Sequence, residues 1–142
     1  MLGHPLHPAL VHFPIGLLLS ATAVDVTWVA GLTSDPNLAA MLMAGGLVMA
    51  LLAMGAGLVD FARLDQAVVP HAVRHMAAVG TAWLGYGVAL YLRRDLFSGA
   101  TTMTAATIAL SVASALVLAL GGWLGGRLVY TFGAGVSPTA RR

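Results

Sequence analysis

Cysteine, lysine and glutamate are all missing from this 142-residue chain. Without cysteine there can be no disulfide, no thiolate metal site, no iron–sulfur cluster held by the chain itself and no covalent c-type haem attachment. Any metal chemistry therefore rests on His, Asp or Met. Without lysine and glutamate, the seven basic residues are all arginine and the five acidic ones all aspartate. Charged residues make up only 8% and apolar residues 59%, against about a quarter and about half in a soluble domain. An ordinary soluble fold is excluded. The net charge of +2, with no basic cluster interleaved with aromatics, excludes a nucleic-acid partner. No nucleophile stands beside a base and no carboxylates are paired, so an independent hydrolytic enzyme is not expected.

What the chain has instead is long apolar runs. A membrane-spanning helix needs about 20 apolar residues, and four segments supply them, expected as helices over 8–30, 38–60, 70–92 and 101–130. Pro8 and Pro70 suit first helical positions, where the missing N–H is unpaired anyway, and Pro14 is expected to kink the first helix. The basic n-region of a signal peptide is lacking, so the first run is expected to be retained. No internal repeat is evident. The expected fold is a single all-α integral membrane domain, a four-transmembrane-helix bundle running up-down-up-down. Five arginines fall on the side of the termini (Arg63, Arg74, Arg127, Arg141, Arg142) and two on the other (Arg93, Arg94). The positive-inside rule then puts both termini in the cytoplasm.

Alternating helix directions polarise the chemistry. His4, His7, His12, Asp60, Arg63, Asp65, His71, Arg74, His75, Arg127 and Tyr130 fall on one side of the bilayer. Asp25, Asp35, Arg93, Arg94 and Asp95 fall on the other and read as an ordinary solvated boundary. His12 lies four residues past Pro8 and His75 five past Pro70, which places both roughly 6–8 Å inside their helix starts. Two imidazoles at matched depth on parallel helices suit axial ligation of haem b. His7 and His71 form the alternative or second pair.

Glycine is available at the same depth. Gly55 and Gly57 lie on the second helix and Gly121, Gly122, Gly125 and Gly126 on the fourth, where a flat macrocycle needs neighbours without side chains. Gly16, Ala23, Ala78 and Ala82 keep the remaining faces slim. Arg127 and Arg74 are placed to pair with propionates, with Asp60 as an orienting partner. Each feature also has a plain structural reading. Small-xxx-small spacing serves helix packing, Arg74 snorkels to the interface, Arg127 and Asp60 form a structural ion pair, the methionines fill space, and the tryptophans form an interfacial belt.

The opening stretch His4-Pro5-Leu6-His7-Pro8-Ala9-Leu10-Val11-His12-Phe13-Pro14 resembles that of small bacterial four-span membrane proteins grouped as domain of unknown function twenty-two thirty-one. Gly57-Leu58-Val59-Asp60, His71 with His75, Gly125-Gly126, Leu128-Val129-Tyr130, and Gly133 with Gly135-Val136 extend the resemblance over nearly the whole chain. The family carries no settled activity, and the joining of some relatives to Rieske-type iron–sulfur or other redox domains implies electron transfer. The leading expectation is therefore a haem b electron carrier in the bacterial inner (cytoplasmic) membrane. It would exchange electrons with an iron–sulfur or cytochrome protein or a quinone, and it could form a homo-oligomer. A second expectation is a divalent transition metal bound by His4, His7, His12, His71, His75 and Asp60 for transport or sensing. Against conduction, the far half of the bundle offers little beyond Ser, Thr and Asp25. A third is a non-catalytic assembly subunit.

Overall fold

The protein is described by a computed structural model covering residues 6–32, 35–93 and 103–134. Among the described residues five helices are formed: α1 (Leu6–Leu10), α2 (His12–Val29), α3 (Pro36–Phe61), α4 (Val69–Leu92) and α5 (Ala105–Tyr130). The expected first helix is divided at Val11, though its turn stays hydrogen-bonded through Val11 N to His7 O and Ile15 N to Val11 O. Pro14 explains the division, because it has no N–H to offer the Leu10 carbonyl and its ring crowds that oxygen. At the far end of α2, Gly31 adopts φ +71, and Leu32 N reaches back to Thr27 O at 2.9 Å, a glycine-terminated stop. Asp35 then caps α3 by accepting from Asn37 N at 2.9 Å. The fourth long helix begins at Ala105 rather than Thr101 because Thr104 and Thr107 form a reciprocal capping box.

Three segments are long and apolar enough to cross a membrane: His7–Val29, Asn37–Phe61 and Ala105–Tyr130. The helix α4 has 24 residues but is not among them; His71, Arg74 and His75 lie in its first turns, and glycines, Trp83, Tyr86 and Tyr91 make the rest less apolar. The outward faces are apolar: Leu19, Val26, Leu51, Leu52, Leu116 and Leu120 are all exposed. Water would penalise such a surface, whereas lipid does not. Inside, Leu18, Ala21, Met43, Leu47, Tyr86 and Ala89 form the buried core, with Trp83, Leu90 and Leu110 packed against it.

The helices assemble as two hairpins, α1–α3 and α4–α5, and the same contacts recur in both. Asp25 pairs with Arg93, 68 positions later, and the same step relates His7 to His75 (75 minus 7). Buried Pro14, Leu18, Ala21 and Asp25 map in this way onto buried Ala82, Tyr86, Ala89 and Arg93. Ala39, Met43, Gly46 and Ala53 map likewise onto Thr107, Ser111, Ser114 and Gly121, all buried. Two pairs of equivalent residues meet each other, His7 with His75 and Asp25 with Arg93. This is the signature of an isologous contact about a two-fold axis. The chain is thus an internal structural repeat, related by a pseudo-two-fold running along the bundle. Both pairs are separated by 18 residues (25 minus 7, 93 minus 75), or about 27 Å of helix, close to the roughly 30 Å of bilayer hydrocarbon.

The axis also corrects the expectation of a solvated boundary at Asp25 and Arg93. Both side chains are 0% exposed and joined as a two-pronged ion pair, with Arg93 Nη2 2.7 Å from Asp25 Oδ2 and 3.2 Å from the Thr107 carbonyl. One turn inward, the Thr22 hydroxyl lies 2.7 Å from Tyr86 Oη and 3.0 Å from Ser111 Oγ. The half of the bundle that read as nearly apolar holds a buried polar layer. Arg94 and Asp95 lie outside the described residues.

Candidate functional site

At the other end of the axis His7 and His75 face each other. Their ring centroids are 6.2 Å apart and their planes cross at 78°. Each is set by the same local device. His7 Nδ1 donates to the Ala53 carbonyl at 2.7 Å, and His75 Nδ1 donates to the Gly121 carbonyl at 2.8 Å; in each case the residues are 46 apart. A carbonyl only accepts, so the proton resides on Nδ1 and the lone pair of each neutral ring is on Nε2.

One helical turn further along the supporting helix, each ring lies on a glycine. A Cβ at Gly57 would meet His7 Nδ1 at 3.0 Å, and one at Gly125 would meet His75 Cε1 at 2.9 Å. Gly121 lets the two helices of the second hairpin approach, since a Cβ there would meet Val79 Cγ1 at 2.7 Å. Each imidazole is therefore positioned by backbone on a neighbouring helix, and glycine is the residue that leaves room for it. Orientation through the second ring nitrogen is what metal-ligating histidines ordinarily have. Two imidazoles on opposite sides of one ion, each bonded at about 2.0–2.1 Å, place their ring centres about 6 Å apart.

The other expected site residues are distributed differently. His12 is exposed on the outer face of α2, so the expected His12–His75 pairing is replaced by His7–His75. His7 and His12 are five residues apart, about 140° around a helix, and only one of them can face the axis. His71 is half-buried and stacks on Phe132 at 4.3 Å, with 30° between the rings. Phe132 is brought there by the turn after α5, where Gly133 adopts φ +65 and Ala134 N donates to Leu128 O. Arg74 is exposed, and Arg127 is exposed with its guanidinium carbon 5.2 Å from the centre of the Trp123 ring. The alternative Arg127–Asp60 ion pair is not formed, and Asp60 is half-buried. Gly57 supports His7 as described; Gly122 has open space around it, and Gly126 has only the Tyr130 ring edge at 4.0 Å. His4, Arg141 and Arg142 lie outside the described residues.

Sequence reasoning missed the two carbonyls, the role of Gly125 and the buried Asp25–Arg93 pair. The first two were signalled by a small residue four positions before each supporting glycine, Ala53 before Gly57 and Gly121 before Gly125. Asp25 was signalled by its place inside an apolar helix, where an ionisable group needs a partner. Among the described residues no cluster of three or more His, Cys, Asp or Glu side chains is placed to hold a metal ion.

In comparisons with known proteins, residues 3–138 match the family described as "Predicted membrane protein (DUF2231)". No curated protein and no solved structure matches the chain.

Proposed function

The chain belongs to the DUF2231 family of predicted membrane proteins, and from that premise we propose that it is a small b-type cytochrome module. His7 and His75 would hold one haem b near one face of the bilayer. The observation that carries this reading is the ring pair itself. Two imidazole rings stand with centres 6.2 Å apart, each with Nδ1 engaged by a backbone carbonyl, which leaves Nε2 as the nitrogen that would bind.

The donor set favours haem over a bare ion in this reading. The described residues bring two imidazoles together, fewer than the three protein ligands of a four-coordinate divalent site, and a porphyrin would supply the remaining donors to an iron. Such a haem would supply one-electron chemistry. The residues of the chain would orient both ligands, Ala53 and Gly57 holding His7 within the first hairpin and Gly121 and Gly125 holding His75 within the second. Arg74 and Arg127, exposed on the helices that carry and support His75, would pair with propionates.

In this reading α4 crosses the bilayer with the three clear spans, because its His75–Arg93 spacing equals the His7–Asp25 spacing of one of them. Both termini would face the cytoplasm, and the redox partner would be a quinone or an iron–sulfur or cytochrome protein.

The test is a reduced-minus-oxidised spectrum of the purified protein with a pyridine haemochrome assay. One haem b per chain is expected, lost in His7→Ala and in His75→Ala and retained in His12→Ala. Absence of a Soret band would sink the proposal, as would a band indifferent to both ligand variants. Stoichiometric metal without porphyrin would point to the divalent-metal alternative.

A further inference from the structure

At the end of the axis opposite the histidines, equivalent positions of the repeat carry opposite charges. Asp25 and Arg93 occupy the same place in the two hairpins, are both 0% exposed, and bond to each other across the pseudo-two-fold. Any pair of these hairpins brings this position face to face with its counterpart. When the first hairpin meets the second, the charges neutralise each other. When two copies of the first hairpin meet, two aspartates coincide in a buried layer, and two copies of the second bring two arginines together. Like charges buried at contact are strongly disfavoured, more so where no water reaches them. The rest of the interface discriminates far less. His7 and His75 are identical, Ala21 and Ala89 are identical, and the remaining buried counterparts are small or apolar except for a few hydroxyls.

We propose that the Asp25–Arg93 pair is a pairing lock: it selects docking of the first hairpin on the second hairpin and excludes self-pairing of like hairpins between copies of the chain. The inference does not depend on what His7 and His75 bind. Buried ion pairs are weak contributors to stability but are well suited to fixing register and partner choice. A swapped pair is expected to be accommodated, because the Thr107 carbonyl that accepts from Arg93 has an equivalent at Ala39 for an arginine introduced at position 25.

The test uses the full chain, which has no native cysteine, with Thr22→Cys and Ser111→Cys as a reporter. The native hydroxyls are 3.0 Å apart across the hairpin seam, so docking is read as an intramolecular disulfide. The expected result is efficient cross-linking in the parent, a loss of at least ten-fold in Asp25→Arg and in Arg93→Asp, and recovery in the Asp25→Arg/Arg93→Asp double variant. Asp25→Leu/Arg93→Leu is expected to keep the intramolecular disulfide while increasing co-purification of differently tagged copies several-fold over the parent. Single charge variants that cross-link as well as the parent would overturn the lock. So would a double swap no better than the singles, or a neutral pair without added self-association. Haem content is not used as a readout, so failure here and failure of the cytochrome reading are separable.

Discussion

The two ends of the pseudo-two-fold axis solve opposite problems with equivalent positions. At one end the repeat keeps the same residue, His7 and His75, and the rings stop 6.2 Å apart. At the other it carries Asp25 and Arg93, which close on each other directly. Identical residues on an axis can share a third group placed between them, and complementary residues need none. The first arrangement leaves an interaction open and the second seals one. The open end is where the cytochrome reading sets its ligands, and the sealed end is where the pairing lock is proposed.

The sharpest way to break the comparison is at the histidines. On the cytochrome reading, equivalence under the repeat requires His7→Ala and His75→Ala to lower haem content equally, each abolishing the Soret band, because a two-imidazole site with one ligand missing is no longer the same site. Exogenous imidazole should restore part of the band in both variants. Retention of most of the absorbance in one variant alone would show that the two rings are unequal partners, and the symmetric reading would fail.

At the sealed end the expected effect is on stability. Asp25→Ala leaves the Arg93 guanidinium buried, with the Thr107 carbonyl as its remaining partner and Nε already without one. Breaking one side of a buried pair costs about 3–5 kcal/mol, measurable by denaturant titration in detergent micelles. Replacing both residues with leucine should cost much less, since no charge is then left uncompensated. Equal losses in the single and double variants would mean that packing rather than charge holds this end closed.

Much of the fold was legible because apolar runs, prolines and caps act locally. Four long helices follow from run length, and the break at Val11 follows from Pro14. The repeat was not legible, because it preserves burial and spacing rather than identity. Leu18 corresponds to Tyr86, Met43 to Ser111 and Ala39 to Thr107, all buried, pairs that share burial but not side-chain chemistry. The site was half legible. Depth reasoning paired His75 with His12 by counting from Pro8 as though the helix ran without a break, whereas the structure sets His7 beside His75. Depth alone cannot say which face a residue presents. The Ala53–Gly57 and Gly121–Gly125 spacings held that information, since each provides a carbonyl and a gap for one ring.

Those two glycines give a smaller and more discriminating test. Gly57→Ala and Gly125→Ala each introduce a Cβ at 2.9–3.0 Å from an imidazole atom, tighter than van der Waals contact allows. Overpacking of this kind costs about 1–3 kcal/mol, and on the cytochrome reading it should weaken haem retention in both variants to a similar degree. Gly55→Ala is the control: nothing lies within 4 Å of its added methyl group, and alanine is the better helix former by about 1 kcal/mol. An effect at Gly57 without one at Gly125 would indicate that the hairpins hold their histidines by different means.

The smallest effect is expected in the polar layer beside the ion pair, where the repeat is least symmetric. Tyr86 corresponds to Leu18, so the hydroxyl of Tyr86 has no counterpart in the first hairpin. Its partner Thr22 also lies 3.0 Å from Ser111 Oγ and 3.3 Å from the Leu18 carbonyl. Tyr86→Phe therefore removes one hydrogen bond without orphaning Thr22, and a loss of about 0.5–1.5 kcal/mol follows. Thr22→Val removes the shared hydroxyl and leaves both Tyr86 Oη and Ser111 Oγ short of a partner, so its cost in the same micellar titration should be the larger. If Tyr86→Phe proves the more damaging, the hydroxyl of Tyr86 has a role beyond this triad, and the polar layer would have to be counted with the open end of the molecule rather than with the sealed one.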